Sequence, residues 1–288
     1  MSDPRLILFD GQVAHAALRG KVSAKSFTAG KWQRCRLATS NLTRTDGKQD
    51  KQLLFGERFL VISKNTEGPN GLSFGQCERD GYVGWMPTAD LCEDFEPSHR
   101  VTSLGTHLYT APDIKAPTLG WLPMGAELRV DASNDDTSAA FIRMLLGDDL
   151  TAYVPRQHLN TPMYRAKDPV LLARRFLNAP YLWAGDSFQG IDCSGLVQRA
   201  LLMCGIPCPR DSDQQETALG RALKRGETPN RGDIVFWKGH VGIMASATHL
   251  IHANAHHMAV AIEPFKSACT RIGKNEFGAV TSIRRLAP

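Results

Sequence analysis

Residues 190–197 read Gly-Ile-Asp-Cys-Ser-Gly-Leu-Val and place Cys193 at the start of an apolar, helix-like run. The pattern predicts a helix from Cys193 through Met203 that stops at Gly205, because glycine is favoured just beyond a helix end. The N–H groups and the dipole at a helix N-terminus favour an anion. We therefore expect the Cys193 thiol to ionise more readily than a buried thiol, and the other six cysteines lack such a position. A buried structural cysteine is the alternative.

Two histidines supply the partners that a nucleophilic thiol needs. His240 begins the predicted strand His-Val-Gly-Ile-Met-Ala-Ser, and His252 lies in the next predicted strand, His-Leu-Ile-His-Ala-Asn. Their separation is even, so a hairpin with its turn near Ala247 puts both side chains on one face. His252 can then hydrogen-bond the His240 ring and fix its tautomer while His240 faces the Cys193 thiol. The spacing predicts a nucleophile, a base and an orienting group, with buried core histidines as the alternative.

A zinc site is the competing chemistry for this region. The residues that suggest it are two cysteines four positions apart and a group of nearby histidines: Cys204, Cys208, His249, His252, His256 and His257. No second cysteine pair accompanies them, and the Gly-Ile-Pro segment between the two cysteines is typical of a packed helix-to-loop junction. We therefore expect no metal and no cofactor, and we expect His256 and His257 on a loop or a strand face.

The order of the predicted elements gives the fold class of the last part of the chain. Asp168-Pro169 is a good helix start, with a capping carboxylate and a proline in the first turn, and it precedes Val-Leu-Leu-Ala-Arg-Arg-Phe-Leu-Asn. A further helix is predicted over residues 212–219, ending at Gly220. The strands Asp-Ile-Val-Phe-Trp, the two histidine strands and Met-Ala-Val-Ala-Ile-Glu-Pro-Phe follow it. Helices followed by antiparallel strands indicate an α+β domain.

The region from residue 34 to about residue 160 has short apolar runs separated by turn residues, which is typical of all-β structure. A weak internal repeat runs through it, with segments that match at offsets of 69 and 68 residues: 56–61 with 125–130, and 84–87 with 152–155. Two matches at nearly one offset predict a duplicated small β unit. The expected organisation is an N-terminal extension, two β domains and an α+β domain: 1–33, 34–96, 97–163 and 164–288.

Composition excludes several classes of function. The 288 residues are 42% hydrophobic and 22% charged, and the net charge of +5 is not gathered into one segment, so nucleic-acid binding is not indicated. No apolar run approaches the ~18 residues of a membrane span, and the start of the chain has no basic lead-in and only four apolar residues in a row. Seven scattered cysteines, an odd number, argue against a disulfide framework. We therefore expect a cytoplasmic protein that binds neither nucleic acid nor membrane.

The last part of the chain resembles the NlpC/P60 family of papain-like cysteine peptidases. The matching segments occur in the family's order and spacing: 180–185 (PYLWAG), 190–198 (GIDCSGLVQ), 209–215 (PRDSDQQ), 231–243 (RGDIVFWKGHVGI) and 250–260 (LIHANAHHMAV). The preceding β units look like the bacterial SH3-type modules that come before this domain in the cell-wall-peptide-recycling branch. The resemblance implies an α+β fold, with a papain-like catalytic domain preceded by two small all-β SH3-like barrels.

The resemblance also implies roles for individual residues. Cys193 is the expected nucleophile, His240 the general base and His252 the third, orienting residue. Tyr181 matches the family tyrosine whose hydroxyl lies beside the oxyanion position. Three further positions match residues on the substrate side: Asp192, Ser194 and Ser212. An N-cap of the third helix is an equally good interpretation of Ser212, and Ala184 departs from the family by standing where glycine is common.

The substrate that the resemblance implies is a peptide from peptidoglycan, cut between the γ-carboxyl of D-glutamate and the amine of a diamino acid. A free N-terminal L-alanine is expected in the recycling branch, so its ammonium needs an anion. Asp192 is one candidate, and Glu57 and Tyr82 of the first β unit are others, with a solvated strand residue as the alternative for Glu57. We expect the β units to form one wall of the cleft that accepts this small peptide.

Two other functions stay open from the sequence. One is a secreted hydrolase of intact cell wall in which the β units serve as wall anchors. The other is a non-catalytic peptide-binding protein, which is disfavoured because Cys193, His240 and His252 are all present.

Overall fold

The computed structural model describes residues 3–65, 71–131, 133, 138–146 and 150–287. The chain divides into two compact units, residues 1–163 and residues 164–288. Within the described ranges, no helix is both long enough and apolar enough to span a membrane.

The first unit begins with a short segment that packs on the β structure after it. Strands β1 (Val13–His15) and β2 (Ser26–Thr28) pair in parallel, and single 3-10 turns form at Pro4–Leu6 and Ala16–Leu18. Leu8 joins a small buried cluster with three side chains of the first β sheet: Leu60, Ile62 and Phe74. The segment is therefore held to this unit by apolar packing.

Seven strands form the first β sheet: β3 (Lys31–Cys35), β4 (Thr39–Thr43), β5 (Gln49–Leu54), β6 (Arg58–Asn65), β7 (Leu72–Cys77), β8 (Val83–Pro87) and β9 (Leu91–Glu93). The order across the sheet is β5-β4-β8-β7-β6-β3-β9 and every pairing is antiparallel. Alternate residues of β8 point inward, as the period of two in a half-buried strand requires. Met86 of β8 joins apolar side chains from the other six strands in one small core.

The second sheet repeats the first. Its strands are β10 (His99–Val101), β11 (Gly105–Tyr109), β12 (Thr118–Pro123), β13 (Glu127–Val130), β14 (Phe141–Leu145), β15 (Thr151–Pro155) and β16 (Leu159–Asn160). The order β12-β11-β15-β14-β13-β10-β16 is that of the first sheet, strand for strand. A 3-10 turn precedes the last strand of each sheet, at Thr88–Asp90 and at Arg156–His158. The internal repeat predicted from the sequence is thus confirmed as two copies of one topology.

The second unit is built on an antiparallel sheet with helices. The helices are α1 (Pro169–Arg174), α2 (Cys193–Met203), α3 (Ser212–Ala218) and α4 (Phe265–Asn275). The strands are β17 (Asp186–Ser187), β18 (Gly190–Ile191), β19 (Arg221–Ala222), β20 (Ile234–Trp237), β21 (His240–Met244), β22 (His249–Asn254), β23 (Ala259–Pro264) and β24 (Ser282–Arg285). The main sheet has the order β19-β24-β20-β21-β22-β23, and β17 and β18 form a separate pair. Helix α2 packs against β21 and β22, so the α+β class is confirmed.

The predicted elements of this unit differ from the structure at the end of α1 and in elements that the sequence did not predict, among them the short strands β17, β18 and β19. Helix α1 ends at Arg174, before the predicted end at Asn178, where the backbone takes a positive φ of 66° and leads into a bridge to β23. Helix α4 and strand β24 were not predicted. The apolar residues of α4 recur at helical spacing and pack against the core of the sheet, so this helix could have been predicted from the sequence: Phe265, Ala268, Cys269 and Ile272.

Candidate active site

The first turn of α2 is buried and capped by the residue before Cys193. The Asp192 backbone is extended, and its Oδ1 accepts the Gly195 N–H at 2.7 Å, which satisfies a donor that the helix itself leaves open. Cys193 is thereby fixed as the first helical residue, as the sequence predicted.

The Asp192 carboxylate is enclosed by further donors. Its Oδ2 accepts the Ala184 N–H at 2.8 Å and Arg210 Nη2 at 2.7 Å, and its Oδ1 accepts Arg210 Nη1 at 3.0 Å. Arg210 is 1% exposed and also donates to Ser194 Oγ at 2.7 Å. Asp192 and Ser194, expected on the substrate side, are therefore both buried and bonded inside the protein. Arg210 received no role from the sequence, although it lies in the matching segment 209–215.

Burial opposes the ionisation of the Cys193 thiol. Burial, followed by the Asp192 carboxylate, raises the pKa of Cys193 to about 12. The N–H groups of Val241 and Ser194 and the Arg210 guanidinium act in the opposite direction. Burial therefore outweighs the two N–H groups and the Arg210 guanidinium, because removing a thiolate from water is costly. Burial raises the pKa of the core cysteines Cys35 and Cys77 as well, so easier ionisation of Cys193 than of a buried thiol stays a prediction.

The two histidines lie together on adjacent strands. β21 pairs with β22 in the register Ile243 to Ile251, which places the hairpin turn at the predicted position. His240 Nε2 and His252 Nδ1 are 2.8 Å apart. Both side chains are buried, and burial, followed by the neighbouring His252, lowers the pKa of His240 to about 3. The geometry predicted for an orienting histidine is present.

The thiol and the base are brought together by the packing of α2 on β21. The Cys193 thiol accepts a hydrogen bond from the backbone N–H of Val241, the residue directly after His240. Burial raises the pKa of Cys193 to about 12 and lowers that of His240 to about 3, so burial by itself favours a neutral thiol beside a neutral imidazole near pH 7.

A carboxylate and an arginine extend the histidine pair, and neither was predicted from the sequence. His252 Nε2 lies 2.8 Å from Glu263 Oε1 on β23, and Arg271 of α4 donates to the same oxygen. Burial works against ionisation of Glu263, but the bonds from His252 and Arg271 outweigh it and hold the pKa of Glu263 at about 2. The available signal was one acid in the otherwise apolar run Met-Ala-Val-Ala-Ile-Glu.

Aromatic side chains lie beside the thiol and the base. Tyr181 is half-buried, its N–H donates to the Met258 carbonyl, and burial and then the Cys193 thiol raise the pKa of its hydroxyl. The Phe277 ring stacks on the His240 imidazole with centroids 5.2 Å apart and planes 5° apart. Tyr181 is thus close to the thiol, where the resemblance expected it, while Phe277 was not anticipated.

The remaining candidates are Ser212 of the second unit and Glu57 and Tyr82 of the first. Ser212 is the first residue of α3, whose N-cap is Asp211, so the interpretation of Ser212 as the cap is wrong. In the first unit, Glu57 is buried, accepts the Leu54 N–H at 3.1 Å and forms an ion pair with Arg79. The alternative of a solvated Glu57 is therefore wrong too. Tyr82 packs in the core of the first sheet and is 2% exposed. A contact of Glu57 or Tyr82 with an ammonium group stays a prediction.

The residues considered for zinc have other surroundings. Cys204 ends α2, and the buried Cys208 directs its thiol to the Pro209 carbonyl at 3.5 Å. His256 and His257 lie on the exposed turn between β22 and β23. Among the residues that the structure describes, no group of three or more histidine, cysteine or acidic side chains is arranged to hold a metal ion.

Two residues with small side chains explain how closely the backbone packs beside Cys193. Ala184 has a positive φ of 63° and is fully buried, which accounts for the preference for glycine at this position in the family. At Gly195, an added Cβ would lie 2.6 Å from the carbonyl oxygen of Gly185 and 3.0 Å from Asp192 Oδ1. The first turn of α2 is therefore in direct contact with the loop at Ala184 and Gly185, which Asp192 also binds.

We expect Gly195→Ala to destabilise the protein by about 1–3 kcal/mol, because the new methyl group overpacks against the Gly185 backbone. The matched control is Gly273→Ala on α4, where the nearest atom would lie 3.7 Å away. That change should stabilise the helix by roughly 0.5–1 kcal/mol. Urea unfolding of both variants gives the comparison. Equal stabilisation by the two substitutions would contradict the close packing at Cys193.

Comparison with known proteins gives matches to both parts of the chain. Residues 178–271 match the model of the NlpC/P60 family, and residues 43–91 match that of the bacterial dipeptidyl-peptidase Sh3 domain. A gamma-D-glutamyl-L-lysine dipeptidyl-peptidase of Bacillus cereus (strain ATCC 10987 / NRS 248) is 29% identical over 263 residues, covering 82% of this chain and 77% of that protein. A protein of the same name from Bacillus subtilis (strain 168) is 27% identical and covers 77% and 75%.

The fold has a solved counterpart. The crystal structure of an NlpC/P60 family protein from Bacillus cereus ATCC 10987 aligns with a TM-score of 0.71 at 21% identity. The alignment covers 90% of this chain and 100% of the other. At this identity the likeness shows the fold.

Proposed function

Since this chain is a cysteine peptidase with an NlpC/P60 domain and a bacterial SH3 domain, we propose that it hydrolyses the γ-D-glutamyl–diamino acid bond of small peptides derived from peptidoglycan. The preferred substrate carries a free N-terminal L-alanine, as in L-Ala-γ-D-Glu-L-Lys or its diaminopimelate counterpart. The enzyme thereby releases a dipeptide and leaves the diamino acid with a free amine.

One observation carries the chemical part of this proposal: Cys193 begins α2 against the strand that starts with His240, and His240 is bonded to His252 at 2.8 Å. In the reaction, His240 takes the thiol proton as the sulfur attacks the amide carbonyl. The Cys193 N–H and the Tyr181 hydroxyl stabilise the resulting oxyanion, a type of interaction that typically contributes ~10²–10³ in rate. The protonated His240 gives its proton to the leaving amine, and water then hydrolyses the thioester.

The neutral pair at the site favours proton transfer during the attack over a preformed thiolate. The buried thiolate is costly until a carbonyl accepts its charge, so ionisation and attack are coupled. His240, with a pKa of about 3, stays unprotonated across the physiological range and can accept the proton.

Two relatives support the choice of bond. Both Bacillus proteins that align along most of this chain are named gamma-D-glutamyl-L-lysine dipeptidyl-peptidases. A dipeptidyl-peptidase removes two residues from a free amino terminus, which agrees with a requirement for unblocked L-alanine. Burying an ammonium without a partner is costly, so such an enzyme must offer it acceptors.

We expect acetylation of the substrate's N-terminus to lower kcat/KM by at least ~10-fold, because a hydrogen bond to a charged group contributes ~1.5–3 kcal/mol. The measurement compares free and N-acetylated L-Ala-γ-D-Glu-L-Lys, with products identified by mass spectrometry. The Cys193→Ala protein is the control for background hydrolysis.

Three outcomes would contradict the proposal. Equal cleavage of the free and acetylated peptides would remove the amino-terminal requirement. Release of peptides from intact peptidoglycan at a rate similar to that of the tripeptide would favour the wall-hydrolase alternative. Cleavage at the L-Ala–D-Glu bond instead of the γ-bond would contradict the substrate itself.

A further inference from the structure

A chain of four polar side chains runs from the base to helix α4. His240 Nε2 is 2.8 Å from His252 Nδ1, and His252 Nε2 is 2.8 Å from Glu263 Oε1. Arg271 donates to that same Oε1 and to Glu276. His240 and His252 are 3% and 0% exposed, so water does not compete for their ring nitrogens.

The bonding pattern leaves one arrangement of protons. Glu263 is ionised, with a pKa held at about 2, so its Oε1 only accepts. His252 Nε2 must therefore carry a proton. Burial lowers the pKa of His252, so the ring is neutral and its Nδ1 is an acceptor. His252 Nδ1 can accept a hydrogen bond only if His240 Nε2 carries a proton. Since the His240 ring is also neutral, its other nitrogen, Nδ1, carries no proton and keeps its lone pair.

We propose that Glu263 is a positioning residue that sets the tautomers of both His252 and His240 and so leaves His240 Nδ1 unprotonated as the base for Cys193. The inference rests on the proposed role of His240. Without the carboxylate, His252 can protonate Nδ1 instead of Nε2. His240 would then have to offer Nε2 as an acceptor and carry its proton on Nδ1, the nitrogen that must receive the thiol proton.

Glu263 also stabilises the charge that forms during the reaction. When the Cys193 S–H bond breaks, the proton forms a new N–H bond at His240 Nδ1 and the ring becomes an imidazolium. The imidazolium donates its Nε2–H to His252, which in turn donates to Glu263. A carboxylate at the end of two aligned hydrogen bonds lowers the energy of this cation. Arg271 holds the carboxylate in place and keeps it ionised.

Tautomers can be measured without substrate. In the Cys193→Ala protein labelled with ¹⁵N-histidine, we expect the ¹⁵N chemical shifts to show Nε2–H on both His240 and His252. In the Cys193→Ala/Glu263→Ala protein we expect His240 to lose this single tautomer. An Nδ1–H tautomer on either ring before the Glu263 substitution overturns the proposal, and so does an unchanged His240 pattern after it. The first measurement needs no change at Glu263, so it holds even if that variant fails to fold.

Kinetics give the second readout. We expect Glu263→Ala to lower kcat about 10- to 100-fold with KM within twofold, since the hydrogen bonds it removes act on the base and not on substrate binding. Glu263→Gln should recover most of this loss. Arg271 can only donate hydrogen bonds, so the side-chain oxygen of the introduced glutamine should face Arg271 and the amide nitrogen should face away. That oxygen can still accept the His252 Nε2–H.

The matched control is Glu227→Gln, which removes another arginine-bound carboxylate of the same unit, with a pKa also near 2. It should leave kcat unchanged. Equal losses in the Glu263 and Glu227 variants, or no recovery with glutamine, would assign Glu263 a structural role only. Failure of the proposed function is distinguishable, because it would appear as a wild-type protein that does not cleave the γ-bond, whereas the tautomers are measured without substrate.

Discussion

Cys193→Ala should reduce kcat/KM by at least ~10⁴-fold while the protein remains folded, because the reaction then has no nucleophile. His240→Ala should cost about as much, since the base and the nucleophile act as one unit. The side chain of Cys193 is buried but small, and alanine leaves the Asp192 cap and the contacts of α2 in place. The loss is therefore chemical.

The matched control for this prediction is Cys208→Ala. Cys208 is also a buried cysteine of the second unit, but its thiol faces the Pro209 carbonyl outside the histidine cluster. The Cys208→Ala protein should keep at least half of the wild-type activity. Rates of dipeptide release and thermal unfolding curves of the two variants test the comparison. Retention of more than a tenth of the activity by Cys193→Ala would rule out the assigned nucleophile.

Arg210→Ala should destabilise the protein by about 3–5 kcal/mol, the typical cost of leaving one charge of a buried pair without its partner. Arg210 is fully enclosed, and its guanidinium makes two bonds to Asp192, one to Ser194 and a long one to the Gly185 carbonyl. Removing it leaves the N-cap of α2 as an uncompensated buried carboxylate. The start of the catalytic helix should become the weakest part of the unit.

Urea unfolding measures this effect, and Arg231→Ala is the control. Arg231 also binds an N-cap aspartate, Asp168 of α1, but their side chains are 44% and 26% exposed. An exposed pair contributes less than about 1 kcal/mol. The double variant Arg210→Met/Asp192→Asn should regain part of the lost stability because no charge is then buried alone. Similar losses for Arg210→Ala and Arg231→Ala would mean that burial does not determine the cost.

Local sequence patterns predicted much of the fold. Helix α2 begins at Cys193 and stops before Gly205, which takes the positive φ that glycine adopts without strain. The even spacing of His240 and His252 placed both on one face of a hairpin, because the strand period of two is local. The repeat at offsets of 68 and 69 residues anticipated two sheets with one strand order. Each of these features depends on residues that are close in sequence or on a pattern that the chain repeats.

The sequence by itself thus determined the fold class, the duplicated β unit, the position of the thiol and the pairing of the two histidines. Only the tertiary structure decided which charged side chains contact the start of α2 and the histidine pair. Arg210 reaches Asp192 across 18 residues and Glu263 reaches His252 across 11. Burial, which no local pattern specifies, raises the pKa of Cys193. Hydrogen bonds and desolvation depend on distances between segments that the chain brings together only on folding, and so the proton arrangement of the site follows from packing.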